Sequence, residues 1–342
     1  MKTILVTGGA GFIGSGFIRY YFKKYPDHKI VLLDALTYAG NPDNLPKEMK
    51  ESKRFEFWYG NVNNITLVNE LVSRADAVVH FAAETHVARS IFDNRIFFET
   101  DVLGTQAVAN AVLKYRSKIE RFIHISTSEV YGTAAREPMD EEHPLNPLTP
   151  YAAAKAGADR LVYSYVKTYD LPALIIRPFN NYGAHQHLEK AVPRFITSVI
   201  LNEPLTVHGD GSAARDWVYV EDVAEAIDAA LKADIKKIKG EVVNVGTGVA
   251  VSVLDIAKKI LKIMGQPESL LSYIPERPGQ VDKHISSTQK TYKLLGWKAR
   301  TKLDKGLPKT IEWYEKNRSW WEPLRWMRTV PILTVEGKTE KY

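Results

Sequence analysis

The sequence predicts an α/β protein built as a doubly wound parallel sheet with a smaller C-terminal α/β part. Two observations predict it. An apolar strand runs through a glycine-rich turn into an amphipathic helix at the N-terminus, and short apolar runs then alternate with helical patterns through the first half. The first strand is Lys2-Thr3-Ile4-Leu5-Val6-Thr7, the turn is Gly8-Gly9-Ala10-Gly11-Phe12-Ile13-Gly14, and the helix follows from Phe17 to Tyr25. The next strand, Ile30-Val31-Leu32-Leu33, delivers Asp34. Further strands are predicted at 55–59, 77–81, 121–125 and 173–176, with helices at 66–73, 105–115 and 151–169 between them. From about Asn181 the pattern turns irregular, with Pro193, Pro204, Gly209-Asp210-Gly211 and the stretch 275–279 marking long connections around two short helices at 220–233 and 253–264.

Strand, glycine turn and helix together favour a dinucleotide. Gly8 and Gly11 allow a tight turn and close approach of backbone to a pyrophosphate, Gly14 lets helix pack on strand, and the helix N-terminus offers unpaired N–H donors. Asp34 lies twenty residues beyond Gly14. A carboxylate there accepts from ribose hydroxyls and repels a 2′-phosphate, so the expected cofactor is NAD rather than NADP. Residues 1–180 are accordingly expected to form the NAD-binding domain, with some later segments returning to it. Residues 181–325 are expected to form a small domain that closes over a ligand at the carboxyl ends of the strands, and 326–342 a tail without periodicity.

Composition limits the alternatives. The chain has 342 residues, 45% hydrophobic and 25% charged, which suits a globular protein rather than a fibrous or disordered one. Without cysteine there is no disulfide, thiolate metal site or cysteine nucleophile, and no metal is expected. No apolar run reaches the length of a membrane span, and Met1-Lys2-Thr3 enters the first strand without a signal-peptide pattern. A cytoplasmic enzyme without membrane contact is expected. The net charge of +6 is spread along the chain, and its densest patch, Lys236-Lys237-Ile238-Lys239, reads as a solvated helix-to-strand connection. No nucleic-acid partner is expected; a mildly basic surface suits an anionic small substrate.

The chemistry is carried by Thr127, Glu129, Tyr151 and Lys155. The polar cluster Ser126 to Gly132 follows the strand at 121–125, and Tyr151-Ala152-Ala153-Ala154-Lys155 opens a helix with phenol and ammonium on one face. Such a pair is a device for moving protons, and the ammonium is expected to lower the phenol pKa from about 10 toward neutrality. Alone, Tyr-x-x-x-Lys is matched by unrelated surface pairs. The glycine turn and Asp34 supply the missing context.

With Thr7 to Gly14, the Thr-x-Glu cluster, Tyr-x-x-x-Lys and Arg177-Pro178-Phe179-Asn180-Asn181-Tyr182-Gly183 in order, the chain resembles the extended short-chain dehydrogenase/reductases that act on nucleotide sugars. Within them it is most similar to dTDP-glucose 4,6-dehydratases, through 82–90, through 180–193 with Glu189-Lys190, and through Arg277-Pro278-Gly279. The resemblance implies a Rossmann fold and a nucleotide-diphosphate sugar as substrate. Tyr151 would take the proton of the C4 hydroxyl as NAD takes the C4 hydride, with Lys155 binding the nicotinamide ribose and Thr127 holding the same sugar oxygen. Glu129 would remove the C5 proton while the C6 hydroxyl leaves. Phe12, Ile13, Asn61, Val62, Phe81, Ala82, Ala83 and Thr100 would join the cofactor contacts. Arg215 and Lys190 would pair with the diphosphate, helped by Arg277 and Asn180, and Thr85, His86, Val207 and His284 would meet the substrate.

This chain also departs from the dehydratase pattern. Ser128 stands where an aspartate that protonates the leaving hydroxyl is usual, His284 where tyrosine is common, and Asn61 and Asp101 replace the more usual aspartate and asparagine. Thr-Ser-Glu is shared with GDP-mannose 4,6-dehydratases, UDP-glucuronate decarboxylases and some 4-epimerases, so a 4-epimerase or uronate decarboxylase is the second reading. A sensor that binds dinucleotide without chemistry is a third. The family usually dimerises through helices equivalent to those at 105–115 and 151–169, and a homodimer is expected.

Overall fold

The computed structural model describes residues 2–276, 279–329, 331–333 and 339–341. In chain order the strands are β1 Thr3–Thr7, β2 Lys29–Asp34, β3 Phe55–Tyr59, β4 Ala77–His80, β5 Arg121–Ile125, β6 Ala173–Pro178, β7 Asn180–Tyr182, β8 Leu205–His208, β9 Ala214–Tyr219, β10 Val242–Val245, β11 Ala250–Ser252 and β12 Leu271–Ile274. Among the described residues, seven make one parallel sheet in the order β3-β2-β1-β4-β5-β6-β10. Apolar side chains at successive positions bury both of its faces. Ile4 and Val6 enter the core on one side and Leu5 the core on the other. The helices Phe12–Lys24 and Val220–Lys232 cover the first side; Ile65–Arg74, Thr105–Lys114 and Pro150–Tyr169 cover the second. The strand order reverses between β1 and β4, which opens a crevice at their carboxyl ends.

The first helix begins at Phe12, not Phe17, because Gly11 is its N-cap and Phe12, Ile13 and Gly14 form its first turn. Among the described residues, several pieces of the second half return to the sheet. The Val220–Lys232 helix packs against Phe12–Lys24 through Val223, Ala224 and Ile227, and β10 extends the sheet beside β6. The β10 run Val242-Val243-Asn244-Val245 was not predicted as a strand, since Asn244 interrupts its apolar character. Its side chain is satisfied by the Tyr131 hydroxyl at 2.8 Å and the Met139 carbonyl at 3.1 Å.

The remainder of the second half has its own core, including Phe195, Ile196, Trp217, Ile256, Ile260, Leu307 and Tyr314. Two small sheets, β11-β9-β7 and β12-β8, frame it. In the tail, where no element was predicted, β13 Pro331–Leu333 and β14 Thr339–Lys341 pair antiparallel. The Lys236 patch lies on the short Ile235–Ile238 helix that leads into β10. Among the described residues no helix is long and apolar enough to cross a membrane.

Candidate active site

A cavity of about 420 Å³ opens over the crevice. At one end the backbone forms a cradle that side chains would fill. Gly8 has φ +70°, and a Cβ there would lie 2.5 Å from the Ala82 amide nitrogen; a Cβ on Gly14 would lie 2.5 Å from the Gly8 carbonyl oxygen. Gly11 gives the helix no side-chain cap, so its first N–H groups are left for an anion. At the end of β2, Asp34 accepts from the N–H groups of Ala10 and Leu36, each at 2.8 Å. Burial pushes this carboxyl up while those two donors hold it down. Phe12, Ile13, Asn61 and Val62 line the same cavity, as do Phe81, Ala82, Ala83 and Thr100. A glycine cradle, an uncapped helix and a carboxylate at the end of the adjacent strand fit a dinucleotide without 2′-phosphate.

The catalytic candidates come from the carboxyl end of β5 and the start of the next long helix. Thr127 caps the short turn Ser128–Tyr131, its hydroxyl accepting from the Glu129 N–H at 3.2 Å. Thr149 caps the Pro150–Tyr169 helix by accepting from the Ala152 N–H at 3.2 Å, and Pro150 presets its first turn. Tyr151 is thereby fixed, and its own N–H donates to Ser90 Oγ at 3.1 Å. One helical turn on, Lys155 Nζ donates to the Ile125 carbonyl at 2.8 Å. Thr127, Glu129, Tyr151 and Lys155 all line the cavity.

One sequence expectation is corrected here. Burial pushes the Tyr151 phenol up, the Asp101 and Glu129 carboxylates add to the rise, and the Thr127 hydroxyl opposes it. Spacing gave the right helix face but not the low dielectric. Lys155 is itself lowered by burial, with the carboxylates of Asp101 and Asp159 opposing. Asp101, buried on a π-helical turn at 98–104, accepts from the Glu84 N–H at 2.7 Å and is raised to about 7, chiefly by burial. Its influence on the site was missed, although the departure from asparagine was a signal.

On the substrate side, Thr85, Asn180, Lys190 and Arg215 line the cavity. Lys190 Nζ donates to the Thr85 carbonyl at 3.0 Å and lies 3.4 Å from Glu189 Oε1; Arg215 Nη1 donates to the Ala214 carbonyl at 2.9 Å. Three expected substrate contacts are not part of the lining. His86 instead caps the Val87–Phe92 helix and places Nε2 3.0 Å from Glu189 Oε2. Val207 faces inward from β8 into the second-half core. His284 is fully buried behind Ser128, which does reach the cavity. Arg277 lies outside the described residues. Gln186 and His187 also line the cavity and were missed, because only the chain's path after β7 brings them there.

The sequence profile described as GDP-mannose 4,6 dehydratase matches residues 5–310, most of the chain. The chain belongs to that family. Among its relatives, the low-salt glycan biosynthesis protein Agl12 of Haloferax volcanii is 45% identical over 312 residues, 91% of this chain and 98% of that protein. A dTDP-glucose 4,6-dehydratase of Streptomyces niveus is 40% identical over 326 residues, 94% of this chain and 95% of that protein. The crystal structure of the dTDP-glucose 4,6-dehydratase DesIV of Streptomyces venezuelae, with NAD bound, superposes with a TM-score of 0.89. The two are 37% identical, with 94% of this chain and 99% of that one covered.

Proposed function

We propose that this chain is an NAD-dependent nucleotide-sugar 4,6-dehydratase whose substrate is a nucleoside-diphosphate glucose. The observation that carries the reading is one cavity lined by the glycine turn, by the cations Lys190 and Arg215, and by Thr127, Glu129, Tyr151 and Lys155. When bound, NAD supplies the hydride acceptor for C4, returns the hydride to C6, and brings a positive charge into the cavity that Tyr151 lines.

Tyr151 receives the C4 hydroxyl proton. Burial raises the phenol, so its basic form needs the positive charge of the bound cofactor, with Lys155 one helical turn away. Thr127 holds the C4 oxygen and the phenol in one hydrogen-bonded line. Lys155, anchored on the Ile125 carbonyl, keeps its ammonium at the same level of the helix. Once C4 is a ketone the C5 proton is acidic, and Glu129 removes it as the C6 oxygen departs. Asn180, Lys190 and Arg215 hold the diphosphate, and Trp217 and Tyr219 anchor β9, with Arg215 on it, in the second-half core.

The test is incubation with NAD and, separately, dTDP-glucose, UDP-glucose and UDP-glucuronate, followed by product masses. Loss of one water from a glucose nucleotide supports the reading and identifies the base. Unchanged mass with an inverted C4 centre, or loss of carbon dioxide from the uronate, would replace it with the epimerase or decarboxylase. We also infer a homodimer through the face formed by the 105–114 and 150–169 helices. Exposed Phe98 and Leu103 beside it support that inference, and light scattering checks it.

A further inference from the structure

The elimination needs a proton for the departing C6 oxygen, and the residue beside Glu129 on the cavity wall is Ser128. A serine hydroxyl holds its proton too tightly to release it unaided at neutral pH. Ser128 is not unaided. Its Oγ lies 3.3 Å from His284 Nδ1, and His284 Nε2 lies 2.8 Å from the Gly132 carbonyl oxygen. A carbonyl can only accept, so Nε2 carries a hydrogen and Nδ1 is the nitrogen free to take up and give a proton. Glu129 Oε1 stands 4.0 Å from that same Nδ1.

The ring is held from every side. The His284 N–H donates to the Ala214 carbonyl at 3.0 Å, and the flanking Lys283 and Ile285 carbonyls accept from Ala134 at 3.2 Å and Met139 at 2.8 Å. Phe179 packs edge-on at 6.0 Å. Gly132 is fixed too: with φ +68°, a Cβ on it would meet the Asn146 carbonyl oxygen at 2.0 Å. Burial, Arg215 and His143 disfavour an imidazolium at His284, while Glu129 and the Gly132 carbonyl favour it. The resting ring is therefore neutral.

We propose that Ser128 and His284 together form the general acid of the elimination, fed by Glu129. The proposal rests on the dehydratase reading above. The C5–H bond breaks and its proton goes to the Glu129 carboxylate, while its electron pair becomes the C5–C6 double bond. The C6–O bond breaks, and the oxygen leaves as water with the Ser128 hydroxyl proton. After a closure of about 1 Å to hydrogen-bond distance, the Glu129 carboxyl passes the proton it took from C5 to the bare His284 Nδ1, and Nδ1 hands it on to Ser128 Oγ, which leaves the ring neutral again. One proton thus passes from C5 to the leaving oxygen without an outside donor. Ser128 and His284 differ from the usual aspartate and tyrosine at two positions that touch in space, so one acid has been replaced by a pair.

The experiment compares leaving groups. Ser128→Ala and His284→Asn are assayed with dTDP-glucose and UDP-glucose and with their 6-deoxy-6-fluoro analogues, since fluoride departs without a proton. Both variants are expected to eliminate water at least ~10²-fold more slowly than the parent and to release fluoride within a few-fold of it. Equal losses on both leaving groups would mean a structural role and overturn the proposal. Undiminished water elimination in Ser128→Ala would overturn it as well, and that variant leaves the buried ring in place should His284→Asn fold poorly. A parent enzyme that eliminates neither water nor fluoride would instead defeat the dehydratase reading.

Discussion

Removing the charge of Asp159 is expected to destabilise the protein more than removing the charge of its partner Arg177. Asp159 lies on the Tyr151 helix, one turn beyond Lys155, and both ion-pair partners are nearly inaccessible, at 0% and 1% exposure. Arg177 donates through Nε to Asp159 Oδ2 at 2.8 Å and through Nη2 to Oδ1 at 2.9 Å, and through Nη1 to the Tyr131 hydroxyl at 2.9 Å. Although burial opposes it, the pairing lowers Asp159 to about 2 from 3.8. At about 1.4 kcal/mol per pKa unit that is roughly 2.5 kcal/mol of stability at neutral pH. Because the folded value is depressed, this contribution is complete above about pH 4 and is lost as pH falls toward 2. Asp159→Asn leaves a buried guanidinium with only a neutral amide and Tyr131, at an expected cost of about 3–5 kcal/mol. Arg177→Met costs less, since Arg160 still pairs with Asp159 Oδ1. Urea unfolding of the parent and both variants at pH 7 and pH 3 is the assay. The reasoning is refuted if both variants lose under about 1 kcal/mol, or if the Asp159→Asn deficit is unchanged at pH 3.

Tyr151→Phe should keep NAD affinity and lose about 10²–10⁴-fold in kcat, as measured by product formation and by cofactor titration. Gly8→Ala forces a Cβ into the Ala82 backbone from a φ of +70°. It should abolish NAD binding by calorimetry while Tm falls by only a few degrees. Asp101→Asn removes a negative charge that raises the Tyr151 phenol, so the alkaline rise of kcat/KM with pH should move to lower pH. An unmoved limb would show that Asp101 does not act on the base.

What the sequence made legible was whatever depends on near neighbours. The glycine turn and the Tyr151–Lys155 helix face follow from spacing within a few residues and Asp34 from its distance along one strand–helix–strand unit, and the structure brings them into one cavity. Longer-range consequences were hidden. His284 reaches Ser128 across 156 residues of chain, and β10 returns to the sheet only after the second half has begun its own core. Tyr151 is instructive for another reason. Lys155 was placed beside it from spacing, yet the direction of its acidity depends on how much water the folded chain removes, which no motif encodes.

The central claim is a 4,6-elimination in which the hydride taken from C4 ends on C6. It is tested most directly with dTDP-glucose or UDP-glucose deuterated at C4, converted with NAD and analysed by NMR and mass spectrometry. The account predicts a 4-keto-6-deoxy sugar that has lost one water and carries the deuterium in its C6 methyl group. Deuterium retained at an inverted C4, with the mass unchanged, would contradict it and identify an epimerase.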